Sequence, residues 1–352
     1  MLAIQGMPLH TRSLSVALSP LRSDRWLARG DVIDLRKNGF VPSTYDLQPS
    51  GIIHSMNIEL ELDPGSLEIL EIRVAQPFVA IEASPETGGE CCRDPAPRLL
   101  DLTGEKLDED FGGRLGAVFG GPRGCSHLLT LFQLMASTIP RAAALERARV
   151  EREGRSPRPE ERFFRRSLFL DGHERDDRTI DVAVQLADTH SRPIGPREPV
   201  LERLALSHEI KLQARIDRKR FQIETLTAGE RSRTPETVGR AAWTRHDARL
   251  APLVGVPLIP GLARRIFALV EGDPLARPLR DVLLQLAPGF IQVMAALMDA
   301  HFEQKAREPE GGATEAPAVA NIGGNANSCY MWRTEGSILR SWAQRDEERG
   351  AR

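Results

Sequence analysis

The sequence contains an internal repeat, and this repeat limits the possible folds more than any local pattern does. Arg12-Ser13-Leu14 recurs as Arg166-Ser167-Leu168, a separation of 154 residues. Four further identities keep that separation and the same order along the chain: Asp34 with Asp188, Pro42 with Pro196, His54 with His208, and Asp63 with Asp217. Ordered landmarks of this kind predict two diverged copies of one structural unit.

A second set of identities continues the repeat at a separation of 151 residues: Arg98-Leu99 with Arg249-Leu250, Leu102 with Leu253, Gly104 with Gly255, Leu107 with Leu258, and Arg114 with Arg265. The separation between equivalent residues therefore falls from 154 to 151 partway through the repeat. We assign residues 1–150 to a first repeat, 151–161 to a linker rich in Arg, Glu and Pro, 162–305 to a second repeat, 306–324 to a flexible segment rich in Gly, Ala, Pro and Glu, and 325–352 to an aromatic C-terminal tail.

Both copies show strand patterns followed by helix patterns. In the first copy, residues 58–62 and 67–74 alternate apolar and polar side chains around a Pro-Gly turn, which predicts a β-hairpin. Helical spacing of apolar residues follows over 103–119 and 126–150. The other predicted elements are strands at 13–18, 31–35, 167–170, 179–187, 210–216 and 221–226, and helices at 261–270 and 278–302. We predict an α+β fold of two diverged repeats, each an antiparallel β-sheet followed by packed helices.

Composition restricts the functional class. The formal net charge is only −2, and the Arg runs alternate with Glu and Asp, which argues against a nucleic-acid-binding surface. No apolar run approaches the roughly 18 residues that span a bilayer, and no signal peptide is evident. Four cysteines are too few for a disulfide scaffold. We expect a cytoplasmic protein with a small-molecule substrate and neither nucleic acid nor membrane as a partner.

Gly124-Cys125-Ser126-His127-Leu128 is the sharpest local motif. The glycines before it favour a turn, and Ser126 could cap a helix that follows. Cys125 would then lie at a helix N-terminus, where the helix dipole lowers the pKa of a thiol and favours the thiolate. His127 could act as a base or as a metal ligand. A buried structural cysteine and a turn-capping histidine fit the same residues.

Three more residues of the first repeat could join this motif. His54 begins the predicted hairpin, where an isolated histidine is commonly structural. Cys91 and Cys92 follow the hairpin. Together with Cys125, His127 and His54, these two cysteines could form a Cys/His metal site, although their spacing is not that of a CxxC pair.

The second repeat does not keep the motif. At the separation of 151, Cys125 and His127 fall on Ala276 and Pro278, whereas the hairpin histidine is kept as His208. The residues shared by the two repeats therefore indicate a common structural framework. The motif present only in the first repeat indicates that the first repeat carries the chemistry.

The tail is polar and then aromatic, which is unusual for a disordered end. Tyr330, Trp332 and Arg333 could close over a substrate pocket, contact the partner subunit of a homodimer, or simply dock on the core. The chain has no GxGxxG after a strand and no GxxxxGK[ST], HExxH or GxSxG sequence. An enzyme here would use acid/base, thiolate or metal chemistry without an organic redox cofactor.

These motifs are similar to those of an uncharacterised bacterial family, domain-of-unknown-function family 2889, here in tandem duplicate. The resemblance rests on His54-Ser55-Met56, a cysteine after the hairpin, Leu102-Thr103-Gly104 and Gly124-Cys125-Ser126-His127-Leu128, and it covers residues 12–145 well and 162–300 loosely. The family typically has threonine at Ser126, and its aspartate at Ser55 is missing here. The chain resembles iron–sulfur scaffold proteins of the NifU-like type more weakly, because it does not match their three cysteine ligands.

The resemblance implies a role in bacterial aromatic catabolism. We expect a cofactor-independent lyase that uses acid/base chemistry on a small aromatic substrate, with formaldehyde release from lignin-derived phenolic dimers as a concrete candidate. Its expected residues are His127 as general base, His54 as the group that orients or shares the proton, Cys125 as a thiol in the site, and Tyr330, Trp332 and Arg333 as substrate-binding residues.

Two alternatives remain open at this stage. One is a binding or carrier module for a metal ion or an iron–sulfur group, with Cys91, Cys92, Cys125 and His127 as ligands. The other is an interaction protein whose sites have degenerated.

Overall fold

The computed structural model describes residues 4–43, 46–193, 199–298, 326–341 and 343, so the predicted flexible segment 306–324 lies outside them. The strands are β1 (Met7–Arg22), β2 (Arg25–Arg36), β3 (Val41–Ser43), β4 (Asp46–Gln48), β5 (Gly51–Leu62), β6 (Ile69–Phe78), β7 (Phe164–Glu174), β8 (Thr179–Ser191), β9 (Leu204–Asp217), β10 (Gln222–Arg233) and β11 (Thr244–Arg245). The helices are α1 (Phe111–Phe119), α2 (Ser126–Glu153), α3 (Asp247–Leu250), α4 (Leu262–Leu269), α5 (Arg277–Leu283) and α6 (Leu286–Ala295).

Nine of the strands form one antiparallel sheet in the order β11-β10-β9-β8-β7-β1-β2-β5-β6, and β3 and β4 form a small separate hairpin. The α+β class predicted from the sequence is confirmed. The sheets of the two repeats are joined into one, because β1 pairs with its counterpart β7.

The register of the sheet follows the repeat. Within the first copy Asp34 lies opposite His54, and within the second Asp188 lies opposite His208, which is the same pairing moved by 154 residues. The two copies are therefore related by an approximate twofold axis that passes through the β1–β7 pair.

One face of the sheet is apolar and the helices cover it. Successive side chains of a strand point to opposite faces, and in β1 Leu14, Val16 and Leu18 are all buried on the same face. Leu128 and Phe132 of α2 are buried as well and belong to the same core. The sequence forms these elements because its apolar residues follow the strand period in one segment and the helix period in the next.

The helix predictions need three changes. Residues 103–110 are not helical: a 3₁₀ helix, Ala96–Leu102, ends there, and Gly104 has a φ of +90° that an α-helix does not accommodate. The predicted helix 278–302 divides into α5 and α6, and its last residues lie outside the described ranges. Helix α2 runs three residues into the predicted linker and ends at Gly154, whose left-handed φ of 66° terminates it.

Helix α2 bears on the expectation about membrane-spanning segments. In the described part of the chain it is the one helix whose length and apolar composition would allow it to cross a membrane. Half of that apolar window is buried inside the fold, as in the core helix of a globular protein, so this is weak evidence for a membrane span.

Candidate functional site

A row of polar residues crosses the apolar face of the sheet in the first repeat. Arg12 of β1 lies opposite Asp34 of β2, which in turn lies opposite His54 of β5. All three are buried, at 1%, 0% and 4% exposure. We call these three residues the polar row. They occupy positions at which the strand alternation otherwise places Leu or Val, and buried polar groups at such positions require partners.

Asp34 is the centre of the polar row. Its Oδ1 lies 3.0 Å from His10 Nε2, within hydrogen-bond distance, while Arg12 Nη1 lies 3.7 Å from Oδ2. Burial alone would raise the pKa of this carboxyl, but the charge of Arg12 and the hydrogen bond from His10 outweigh it. The pKa of Asp34 is therefore held well below its ordinary value, and the carboxylate is ionised.

The N-terminus of α2 brings the Gly-Cys-Ser-His motif to this row. Cys125 is the residue that precedes the helix, and Ser126 is its first helical residue, so the predicted capping role of Ser126 is wrong. His127 Nε2 lies 3.3 Å from Asp34 Oδ2. The ring of His127 lies against the ring of His54, with centroids 3.8 Å apart and planes inclined by 30°.

Both imidazoles are neutral at physiological pH. Burial lowers the pKa of His54 to about 4, even though the carboxylate of Asp34 acts in the opposite direction. Burial and then the neighbouring His54 hold the pKa of His127 well below its ordinary value. Each ring therefore carries a lone pair that can accept a proton or bind a metal ion.

Cys125 contributes a thiol and not a thiolate. Its Sγ lies 3.9 Å from His127 Nδ1, at the limit of a sulfur hydrogen bond. Burial raises the pKa of this thiol to about 11, an effect that exceeds the influence of the backbone N–H groups of Leu128 and His127. The thiolate expected from the position at a helix N-terminus is therefore wrong.

The other cysteines surround Cys125 without joining the histidines. The Cys91 thiol donates a hydrogen bond to Asp94 over 3.1 Å. Burial, together with the nearby Cys125 and Cys329, raises the pKa of the Cys92 thiol well above its usual range. These thiols are neutral, and of the metal ligands predicted from the sequence only His54 and His127 belong to the histidine–aspartate group.

The aromatic tail docks beside the motif. The backbone N–H of Tyr330 donates to the carbonyl of Gly124 over 2.8 Å, immediately before Cys125. Arg333 lies over the Tyr330 ring at 3.9 Å and forms an ion pair with Glu90. Trp332 is half-buried in a small cluster around Met331, Ile81 and Ile338. The tail thus lies beside the start of α2, and its contact with a substrate stays a prediction.

The second repeat keeps the polar row, and there two carboxylates of the same repeat satisfy the arginine. Arg166 donates to both oxygens of Asp188, over 2.7 and 2.8 Å, and to Asp281 of α5 over 2.7 Å. His208 Nε2 lies 2.5 Å from Glu230. Burial would lower the pKa of His208, but Asp188 and Glu230 outweigh it and raise that pKa. This row is an ion-pair network with no histidine from the helix.

Each repeat also places one helix residue beside the buried polar residues of the other. Gln292 of α6 lies 3.3 Å from His127, between Gln292 Nε2 and the ring Nε2. Its counterpart 151 residues earlier is Arg141 of α2, which lies 3.3 Å from Asp188. The second repeat therefore forms part of the wall of the first repeat's site.

The structure brings together the three residues predicted to be catalytic, and it adds three that the sequence analysis did not assign to the site. Arg12 and Asp34 were recognised only as landmarks of the repeat, and Gln292 was not recognised. Their signal was present: Arg12 and Asp34 are charged residues at positions where the strand alternation requires apolar ones, and both recur in the second copy. Gln292 has no comparable local signal.

The polar row and His127 also present three potential metal ligands. Asp34 Oδ2, His54 Nδ1 and His127 Nε2 lie within 4.8 Å of one another, and all three residues are buried. Asp34 Oδ2 and His54 Nδ1 have no hydrogen-bond partner within the described ranges. Two histidines and one carboxylate are a common ligand set for zinc and for non-haem iron.

The comparisons with known proteins give a family but no activity. Searches of the curated proteins and of the solved structures found no match. The profile of one family, described as "Protein of unknown function (DUF2889)", matches residues 10–141 and again residues 164–292. The two matches confirm the duplication, and each ends at the residue that reaches into the other repeat. The chain therefore belongs to the DUF2889 family, whose domain it contains twice in tandem.

Proposed function

We propose that the first repeat is a catalytic centre for acid/base chemistry of the lyase type on a small aromatic compound. The observation that carries this proposal is the position of His127 between an ionised carboxylate and a thiol. Its Nε2 lies 3.3 Å from Asp34 Oδ2 and its Nδ1 lies 3.9 Å from Cys125 Sγ. When Nε2 carries the ring proton toward Asp34, Nδ1 is free to accept a proton from a substrate.

Asp34 supports this role electrostatically. A proton taken up by His127 creates an imidazolium beside a carboxylate that burial shields from water, and the pair stabilises that charge as in a Ser-His-Asp triad. The neighbouring ring of His54 packs against His127 and fixes its orientation. The thiol of Cys125 is protonated in this arrangement and is not a nucleophile.

The reaction we propose is formaldehyde release from a phenolic dimer that carries a hydroxymethyl group. His127 takes the hydroxyl proton, the adjoining C–C bond breaks, and formaldehyde leaves. The released electron pair forms a C=C bond as the oxygen substituent on the next carbon departs with a proton. The aromatic tail beside Gly124 supplies a wall for the ring, and four free cysteines are compatible with a reducing cytoplasm.

The test is formaldehyde release measured with a trapping reagent. We expect turnover by the full chain and a loss of about 10²–10⁴-fold in His127→Ala, the usual contribution of a general base. The control is His208→Ala, which removes the buried second-repeat counterpart of His54 and leaves turnover unchanged. If His54→Ala and His127→Ala both keep full turnover, the scheme is wrong.

A divalent metal site is the second candidate. At ligand distances of about 2.0–2.1 Å, tetrahedral zinc holds its ligands roughly 3.4 Å apart. Asp34 Oδ2 lies 3.3 Å from His127 Nε2 and 3.6 Å from His54 Nδ1, close to that spacing. We rank it second because Arg12 Nη1 lies 3.7 Å from the same Oδ2, and a guanidinium so near repels a cation.

Metal analysis separates the two candidates. A metal centre predicts a stoichiometric divalent ion in the purified protein, lost in His54→Ala and kept in His208→Ala. Titration with Co²⁺ gives a visible absorption band if the three ligands bind it. A colourless protein that takes up no ion excludes both the metal centre and the iron–sulfur alternative.

A further inference from the structure

Arg166 of the second repeat shows what a buried guanidinium requires at this position of the fold. It is fully enclosed and donates three hydrogen bonds of 2.7 to 2.8 Å to two carboxylates, Asp188 and Asp281. The bidentate pairing with Asp188 is the strong, planar geometry that arginine favours with carboxylates.

Arg12 is the counterpart of Arg166 but lacks these partners. It is 1% exposed, and its nearest carboxylate oxygen lies 3.7 Å from Nη1, beyond hydrogen-bond distance. Its Nε and Nη2 have no hydrogen-bond partner among the residues that the structure describes. Asp34, the counterpart of Asp188, faces His10 and His127 instead.

The second carboxylate is missing from the first repeat as well. Buried Leu128 and Leu131 of α2 correspond to buried Leu279 and Val282 of α5 at the separation of 151 residues. In that alignment the position of Asp281 is Thr130 of α2. The helix therefore brings no carboxylate to Arg12.

A second buried guanidinium, that of Arg36, differs from Arg12 in its partners. The charge of Arg36 acts on His54 in the same direction as that of Arg12. Arg36 donates hydrogen bonds to the backbone carbonyl and to the side-chain oxygen of Gln48. A buried cation whose N–H groups are unsatisfied, as those of Arg12 are, is destabilising, so an anionic ligand would be held strongly at Arg12.

We propose that Arg12 is the receptor for the carboxylate of an aromatic acid. Its Nε and Nη2 would bind the two carboxylate oxygens as those of Arg166 bind Asp188. The ligand would enter beside His127, whose side chain is 11% exposed and is the most accessible of this group. This inference rests on the proposed function for the chemistry at His127, and it adds that the substrate is an anion.

Isothermal titration calorimetry on the full chain tests the inference with benzoate and with benzamide, which has the same ring and no charge. We expect benzoate to bind at least tenfold more tightly, a difference of about 1.4 kcal/mol. Arg12→Gln should abolish this preference, whereas His208→Ala should keep it. Absence of a preference in the wild type, or its persistence in Arg12→Gln, overturns the inference. Binding of inorganic phosphate but not of benzoate overturns it too.

Two further variants keep the test decisive. If Arg12→Gln does not fold, Thr130→Asp takes its place. This variant supplies to Arg12 the carboxylate that Asp281 supplies in the second repeat, so the preference for benzoate should disappear. Persistence of the preference overturns the inference. His127→Ala should bind benzoate normally while losing turnover. Benzoate binding without turnover in the wild type therefore refutes only the proposed lyase, and turnover of a phenolic dimer without benzoate binding refutes only the anion receptor.

Discussion

Leu14 of β1 lies directly opposite Leu168 of β7, which is its own counterpart one repeat later. The approximate twofold axis therefore passes between two equivalent residues in the middle of the sheet. Both are fully buried, so the contact that joins the two repeats is part of the core and not a surface between two domains.

Loss of this contact should destabilise the whole chain. We expect Leu168→Ala to lower the free energy of unfolding by about 2–5 kcal/mol, the usual cost of a cavity at a buried leucine. Phe169→Ala is the control, because that side chain lies on the other face of the same strand and is 46% exposed. Urea unfolding followed by circular dichroism measures both, and equal effects would contradict the assignment of the junction to the core.

His54 should make stability depend on pH between about 4 and 6.5. Because its folded pKa, about 4, is below its unfolded value, the unfolded chain binds the extra proton as the pH falls. Stability should therefore fall by about 3 kcal/mol from pH 7 to pH 4, since each pKa unit corresponds to about 1.4 kcal/mol. Urea unfolding of chelator-treated protein should show that His54→Gln reduces this dependence.

His208→Gln is the matched variant, and its pH dependence of stability should have the opposite sign. The pKa of His208 is raised in the folded protein, so its contribution is complete below its unfolded pKa and is lost as the pH rises through its folded pKa. The variant should lose stability mainly at acid pH and keep the dependence that His54 causes. The same unfolding series compares both, and a parallel loss in the two variants would refute the assigned directions.

Cys125 should react slowly with alkylating reagents. A thiol with a pKa of about 11 is about a hundredfold less ionised at pH 8 than one with the ordinary pKa of 9.0. We expect iodoacetamide to modify it at least that much more slowly in the native protein than in urea, as followed by peptide mass spectrometry. Rapid modification of Cys125 in the native protein would support the thiolate that the sequence predicts.

Glu90 should hold the tail in place. Its carboxylate pairs with Arg333 and accepts hydrogen bonds from the backbone and hydroxyl of Ser337, over 3.2 and 2.8 Å. Glu90→Gln should therefore speed hydrogen exchange over residues 329–341, while Glu86→Gln, an exposed residue of the same loop, should not. Unchanged exchange would mean that burial of Met331 and Ile338 alone fixes the tail.

The sequence was sufficient for the parts of the fold that local periodicity encodes. Each predicted strand lies on an observed one, and the hairpin of β5 and β6 is present. The joining of the two sheets could not be predicted, because strand alternation does not say which strand pairs with which across more than a hundred residues. The break between α5 and α6 did have a signal that the prediction of one helix over 278–302 did not use: Pro288 in the first turn of α6 cannot donate to the carbonyl of Leu284.

Three members of the candidate site were predictable from the sequence, but its chemistry was not. His54, Cys125 and His127 do lie together, as their motif suggested. The charge state of Cys125 was mispredicted because the local rule considers the helix terminus, whereas burial depends on the whole fold. The role of Arg12 could be inferred only by comparison with Arg166. The side-chain N–H groups of Arg166 are hydrogen-bonded, whereas the Nε and Nη2 groups of Arg12 have no partner in the described part of the chain.

Gln292 and Arg141, each reaching into the opposite repeat, have a consequence for how such a chain can change. In an assembly of two identical subunits every substitution appears twice, so a helix residue suited to one site is imposed on the other. Two copies on a single chain are free of that constraint. Here one repeat can keep Gln292 beside a neutral histidine of the other while Arg141 lies beside a carboxylate, because the two positions are encoded by separate codons and can change independently.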